Sequence, residues 1–156
     1  MPTMTLTVTG VGSADIAWLT SSGTHVDTLG SDDGTTSSGS SYSLCPIDGK
    51  RINDIVMSNP TVAEGDIDTI TSVRFLATGR CPARGSGGSD VDFDFDTPSG
   101  YASDPETLNF FNNFNYEVEY GTTRTTKPDS SAWEYSDIEN LQFNIEKNGT
   151  ALVHLA

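Results

Sequence analysis

The strictest constraint in the sequence is the alternation at positions 90–96, where Asp90, Asp92, Asp94 and Asp96 interleave with Val91, Phe93 and Phe95. Successive side chains of a strand point to opposite faces, so this period of two predicts a β-strand with one apolar and one solvated face. The same period recurs along the chain. Residues 5–9 set Leu6 and Val8 against three Thr, and residues 71–78 set Val73, Phe75 and Ala77 against Ser72, Arg74 and Thr78, with Leu76 out of phase. Residues 108–120 carry Leu108, Phe110, Phe114, Tyr116, Val118 and Tyr120 on even positions, with Asn and Glu on most odd ones. Such a run would extend roughly 40 Å, longer than an ordinary strand, which predicts a bend near Asn112-Asn113. Residues 141–146 and 151–155 flank Asn148-Gly149, a dipeptide suited to a two-residue turn with positive φ, and so predict a C-terminal hairpin.

Helix is nearly absent from this pattern. Ser136-Asp137-Ile138-Glu139 has the form of a capping box, in which a Ser hydroxyl and a Glu carboxylate satisfy each other's backbone donors. It predicts one short helical turn near 136–141 between Trp133 and the last strands. Six to eight antiparallel strands with this patterning make an all-β protein, an antiparallel β-sandwich or jelly roll with long polar loops. The 156 residues suffice for one domain with its own core. We read residues 1–10 as an N-terminal strand or docking arm and residues 11–156 as a single sandwich domain.

Composition decides what such a domain can bind. There are 22 acidic and 8 basic residues, a net charge of −14. A phosphate-binding surface needs clustered cations, so nucleic acid is excluded as a partner. No apolar run approaches the roughly 18 residues of a membrane-spanning helix, and residues 1–20 lack the basic start and apolar block of a secretory signal. The chain is rich in small polar residues, with 18 Ser, 20 Thr and 15 Gly, concentrated at 21–43 and 84–90. They read as loops between ordered strands, since the aromatic and alternating segments lie elsewhere.

The acidic residues invite a calcium reading, because calcium prefers clustered hard oxygens. In a strand, however, Asp90, Asp92, Asp94 and Asp96 project at about 6.6 Å intervals, a ladder and not a cage, and a solvated face that resists edge pairing accounts for them. Asp32-Asp33-Gly34 and residues 66–68 remain candidate loop ligands. Catalysis has less support. His25 and His154 are far apart in sequence, no G-x-S-x-G elbow marks a nucleophile, and carboxylates are too abundant to single out a pair. The expectation is a protein that is not an enzyme, with no cofactor and no metal. Cys45 and Cys81 each precede Pro and lack His neighbours, so they make no zinc site. A disulfide and two buried thiols both stay open, the thiols favoured. Asn148-Gly149-Thr150 matches a glycosylation acceptor, but the turn explains those residues fully. Trp18, Trp133, Tyr101 and Tyr135 are candidate sugar-stacking aromatics, with core packing the preferred role for Trp133.

The C-terminal third has a further property. Residues 125–145, Thr-Thr-Lys-Pro-Asp-Ser-Ser-Ala-Trp-Glu-Tyr-Ser-Asp-Ile-Glu-Asn-Leu-Gln-Phe-Asn-Ile, resemble a stretch of structural proteins of tailed bacteriophages, of the form T-x-P-x-x-x-x-W-T-x-x-D-I-x-x-L-x-F-G-I. Trp18-Leu19-Thr20, the segment from His25 to Asp32-Asp33-Gly34, and the segment from Ile70 to Arg80 fit the same template. The resemblance spans residues 15–155, with 133–145 its most specific part. The sequence departs from it at Glu134, where Thr is usual, and at Asn144, where Gly is usual.

The resemblance implies a virion component with a jelly-roll-like domain and no catalytic residues to carry over. Size then favours a capsid decoration or cement protein over a tail fibre. Such a protein would sit on the outer surface of the head as a homotrimer bound to the major capsid protein, after synthesis in the host cytoplasm. The expected docking residues are Thr3, Thr5, Leu6, Thr7 and Val8, by strand addition to a neighbour's sheet. The expected structural anchors are Trp133, Ser136, Asp137, Glu139, Leu141 and Phe143. A tail-borne or free carbohydrate- or receptor-binding β-sandwich, with a glycan as ligand, is the alternative.

Overall fold

The computed structural model describes residues 3–15, 18–20, 23–29, 43–82, 90–96, 105–110, 116–149 and 151–155. Within them the chain forms ten strands and two short helices: β1 (Val8–Ala14), β2 (Leu19–Thr20), α1 (His25–Leu29), β3 (Ser43–Cys45), β4 (Lys50–Met57), β5 (Leu76–Arg80), β6 (Asp90–Asp96), β7 (Glu106–Asn109), β8 (Glu117–Tyr120), α2 (Tyr135–Glu139), β9 (Gln142–Asn148) and β10 (Val153–Leu155). A single 3-10 turn (Glu64–Asp66) lies between β4 and β5. The strands make two five-stranded sheets, ordered β1-β4-β9-β6-β7 and β2-β3-β10-β5-β8, with every pairing antiparallel.

The pairings nest. β6 pairs with β7, β5 with β8, β4 with β9 and β3 with β10, alternately in one sheet and the other. A long antiparallel ribbon closed at β6–β7 and rolled over itself gives this order, which is the winding of a jelly roll. β1 and β2 extend the two sheets beyond that ribbon, beside β4 and β3. The all-β sandwich expected from the alternation is therefore the observed fold.

The core fills the space between the sheets. Val91, Phe93 and Phe95 of β6 and Phe143 and Ile145 of β9 are buried, as their alternation predicted. Phe75 comes from the other sheet, just before β5, and closes an aromatic cluster: its ring lies 4.2 Å from that of Phe95, 5.3 Å from Phe143 and 5.5 Å from Phe93. Each such ring contributes about 1.5–3 kcal/mol by leaving water, with something further for offset and tilted ring contacts.

Several local expectations are corrected. The C-terminal segments do not form a hairpin. Gly149 has the expected positive φ of 78°, but the chain there crosses from one sheet to the other, and β10 pairs with β3 and β5 instead of with β9. The turn dipeptide fixed a reversal and left the partner open. The run at 108–120 is divided between β7 and β8, which belong to different sheets; the bend expected at Asn112-Asn113 lies outside the described residues. The first strand starts at Val8 and continues to Ala14, pairing Val8 with Met57 and Gly10 with Val56. It therefore crosses the boundary drawn at residue 10, and residues 8–10 belong to the sandwich. Thr78, assigned to a solvated face, is buried.

Strand β4 escaped the pattern altogether. Its two fully buried residues, Ile52 and Ile55, are three apart, a helical spacing. Asp54 explains this: its φ is +54°, and the ladder to β9 shifts register between Ile52 and Ile55. A bulge inserts one extra residue and returns both isoleucines to the same face. The bulge is held by the Asn144 side-chain carbonyl, which accepts the Asp54 N–H at 2.9 Å. It also explains Gly12 opposite, where a Cβ would stand 2.7 Å from that of Asp54.

Candidate interaction surface

Residues 133–145 carry the resemblance, and they run from the rim of the sandwich into its centre. Trp133 is buried, its indole N–H donating to the Arg124 carbonyl at 3.2 Å and its ring meeting Phe95 edge-on at 5.4 Å. Ile138, Leu141, Phe143 and Ile145 follow it into the core. Three of the six predicted anchors, Trp133, Leu141 and Phe143, are therefore core residues. Trp18 is buried as well, with its indole N–H on the Lys50 carbonyl at 2.9 Å, so neither tryptophan presents a ring for a sugar to stack on. Tyr101 lies outside the described residues.

The predicted capping box is displaced by two residues. The helix N-cap is Glu134, whose backbone N–H donates to Asp137 Oδ2 at 2.8 Å. Asp137 is at the same time 3.0 Å from Lys127 Nζ, both side chains being largely buried. This ion pair fixes Asp137 and with it the first turn of α2, an acid at a helix N-terminus where the backbone dipole favours it. Ser136 and Glu139 are exposed instead. The sequence motif identified the helix correctly, while the deciding contact, to Lys127, lies outside it.

At the N-terminus, Thr3 and Thr5 are exposed, whereas Leu6 and Val8 pack against the core. Thr7 continues the β1–β4 pairing: its N–H donates to Ser58 Oγ at 3.2 Å, and its carbonyl accepts the Ser58 N–H at 2.7 Å. Among the described residues β1 pairs with β4 alone and ends the strand order of its sheet, with α1 packed against it. The five predicted docking residues are thus brought to one edge, three of them tied down and two facing out.

The acidic ladder is satisfied locally. Asp92 accepts hydrogen bonds from Thr107 Oγ1, at 2.6 Å, and from the Asn148 amide; Asp90 accepts one from the Asn109 amide. Among the described residues no group of three His, Cys, Asp or Glu is placed to hold a metal ion. Asp66 and Asp68 are exposed, and Asp32 and Asp33 lie outside the described residues.

Sequence reasoning missed two polar clusters, both in the second sheet. His25 Nδ1 lies 2.8 Å from Ser43 Oγ, which lies 2.6 Å from Thr28 Oγ1. This places a Ser beside a His, but Ser43 is fully buried, and the contacts tie α1 to β3. Burial holds the His25 pKa below its ordinary value. His154 is buried too, and the Arg80 Nε–H points to its Nδ1 at 3.4 Å; desolvation and then the Arg80 charge push its pKa down to about 4. Arg80 itself covers the Tyr116 ring at 4.6 Å. In the first sheet Lys147 is fully buried, with its ammonium on the carbonyls of Asn148 and Gly149. Cys45 and Cys81 are buried free thiols. No family model, curated protein or solved structure matches this chain.

Proposed function

We propose that this protein is a non-enzymatic structural component of a tailed-phage virion, a decoration or cement protein on the outer surface of the head that binds at capsomer junctions. The observation that carries the reading is the resemblance over residues 133–145. That stretch runs into the core, where Trp133, Ile138, Leu141, Phe143 and Ile145 are all buried. Jelly-roll winding is shared by viral shells and by lectins, so the fold is compatible with the reading without selecting it. The side of β1 away from β4, unpaired among the described residues and with Thr3 and Thr5 exposed ahead of it, suits strand addition to a neighbouring subunit. The partners on this reading are the major capsid protein and two further copies of this chain. Several weak contacts around a threefold axis would add up to firm attachment.

Mass spectrometry of purified particles, with imaging of the head surface, tests the proposal. The expected result is this chain in stoichiometric amount at capsomer junctions. Its absence from the particles would overturn the reading. A chain lacking residues 1–5 should keep its fold and lose most of its occupancy on expanded capsids in co-sedimentation. Specific hits on a glycan array, without capsid binding, would favour the carbohydrate-binding alternative.

A further inference from the structure

A groove of about 330 Å³ opens between the loop that carries the 3-10 turn and the first turn of α2. That volume lies at the lower end of the range for small-ligand sites. One wall is formed by Ile67 and Ile70, both half-buried, and the other by Trp133 and Tyr135. The two walls are fastened together. The Tyr135 hydroxyl donates to the Val62 carbonyl at 3.0 Å, and α2 is clamped through Asp137 to Lys127. A groove with fixed walls loses little freedom when it is filled.

Its polar lining has one sign. Glu64, Asp68 and Glu134 line it, and among the described residues no Lys, Arg or His does. None of these three carboxylates is in a described ion pair: those join Arg51 to Glu146, Arg124 to Glu106 and, behind the α2 wall, Lys127 to Asp137. An acidic loop alone would be a solvated face. Here carboxylates from two separate elements border a mixed slot whose apolar part is Ile67, Ile70 and the two aromatic rings, which suits a ligand with an alkyl stem and a cationic head. A compact metal ion does not fit this description, and these carboxylates form no metal-holding group. Lysine and arginine do fit: their stems pack along apolar surface while their charged ends stay with the acids. The net charge of −14 attracts a basic segment at long range.

We infer that this groove receives a lysine or arginine side chain from an extended, basic segment of a partner protein. Ile67 and Ile70 line the stem, and Glu64, Asp68 and Glu134 meet the charge. The inference does not depend on the virion reading, because it rests on the groove's shape and lining alone.

The test is an NMR titration of the isotope-labelled full chain with a blocked peptide, Ala-Leu-Lys-Ile-Arg-Ala, and with its counterpart carrying Gln in place of Lys and Arg. The expected result is saturable shifts confined to residues 64–70 and 133–136 with the basic peptide, and none with the Gln peptide. Raising the salt from low to near-molar concentration should weaken binding about tenfold or more, since the charged ends are exposed. The double substitution Glu64→Gln and Asp68→Asn, on an exposed loop, should weaken it at least tenfold without moving the thermal midpoint. Glu117→Gln on β8 should change nothing. Shifts spread over the acidic face of β6, equal binding of the Gln peptide, or insensitivity to the double substitution would each overturn the inference. Spermidine competing as strongly as the peptide would overturn the assignment to a protein partner.

Discussion

In β6 and β9 every described inward position except Lys147 is apolar, and every described outward position carries an acid or an amide. The opposite sheet buries Ser43, Thr78 and His154. Strand β10 shows the contrast in three residues: Val153, His154 and Leu155 alternate by face, yet all are buried. The β6–β9 pair divides dry from wet across its own thickness; the opposite sheet loses water on both sides of its central strand. The first can be recognised from period-two patterning and is stabilised by apolar packing. The second depends on polar groups finding partners, and its stability is therefore tied to their protonation and hydrogen bonding.

Substitutions can break this comparison, and the largest effect belongs to the apolar sheet. Phe95→Ala removes a ring stacked on Phe75 and edged by Trp133, and should cost about 3–5 kcal/mol in chemical denaturation. Acid comes next and acts on the other sheet. The His154 pKa of about 4 in the folded chain lies below the ordinary 6.5, so the unfolded state takes up the proton first. The stabilisation held by the neutral ring is complete above pH 6.5 and is lost as pH falls toward 4, by up to about 3 kcal/mol. His25 is shifted in the same direction and adds to the slope. Denaturation midpoints measured across this range should fall less steeply in His154→Leu than in the native chain.

Gly12→Ala would drive a Cβ into the Asp54 side chain at the β4 bulge and should cost about 1–3 kcal/mol by overpacking; an additional Asp54→Gly exchange should restore most of it. Thr78→Val sharpens the contrast from the opposite side. The Thr78 hydroxyl is buried without a hydrogen-bond partner among the described residues, so an apolar replacement of the same shape should raise stability by about 1 kcal/mol. The smallest effect is expected on the solvated face of the first sheet, where Asp94→Asn should stay within about 0.5 kcal/mol.

The same contrast explains how much of the fold was legible. The strand at 90–96 and the apolar phase of 141–146 were read correctly, because each separates water from core in strict alternation. β4 was not read, since its bulge places Ile52 and Ile55 at a spacing that resembles a helix. β3 is too short for a period to declare itself, and α1 lies in a stretch whose polar composition predicted only loop. The hairpin was misassigned for a different reason: Asn148-Gly149 determines how the chain reverses, while the partner of β10 is set by packing across the whole sandwich. Of the expected surface, Trp133 and its followers were found because they are large and apolar. The Lys127–Asp137 pair and the facing wall at 64–70 went unread, because no local pattern links residues so far apart.

The nested pairing also sets an order of assembly. β10 occupies the middle of its sheet, between β3 and β5, and Cys45 of β3 reaches its partner Val153 only after nearly all the intervening chain has been made. During synthesis the β6–β7 ribbon is the first of the nested pairs that can close, and β5–β8 and β4–β9 can follow outward from it. Each closure shortens the loop that the next must span. Until β10 emerges, the strands beside it lack their shared neighbour, and a growing chain carries an open slot in the sheet where Ser43 and Cys45 will later be sealed.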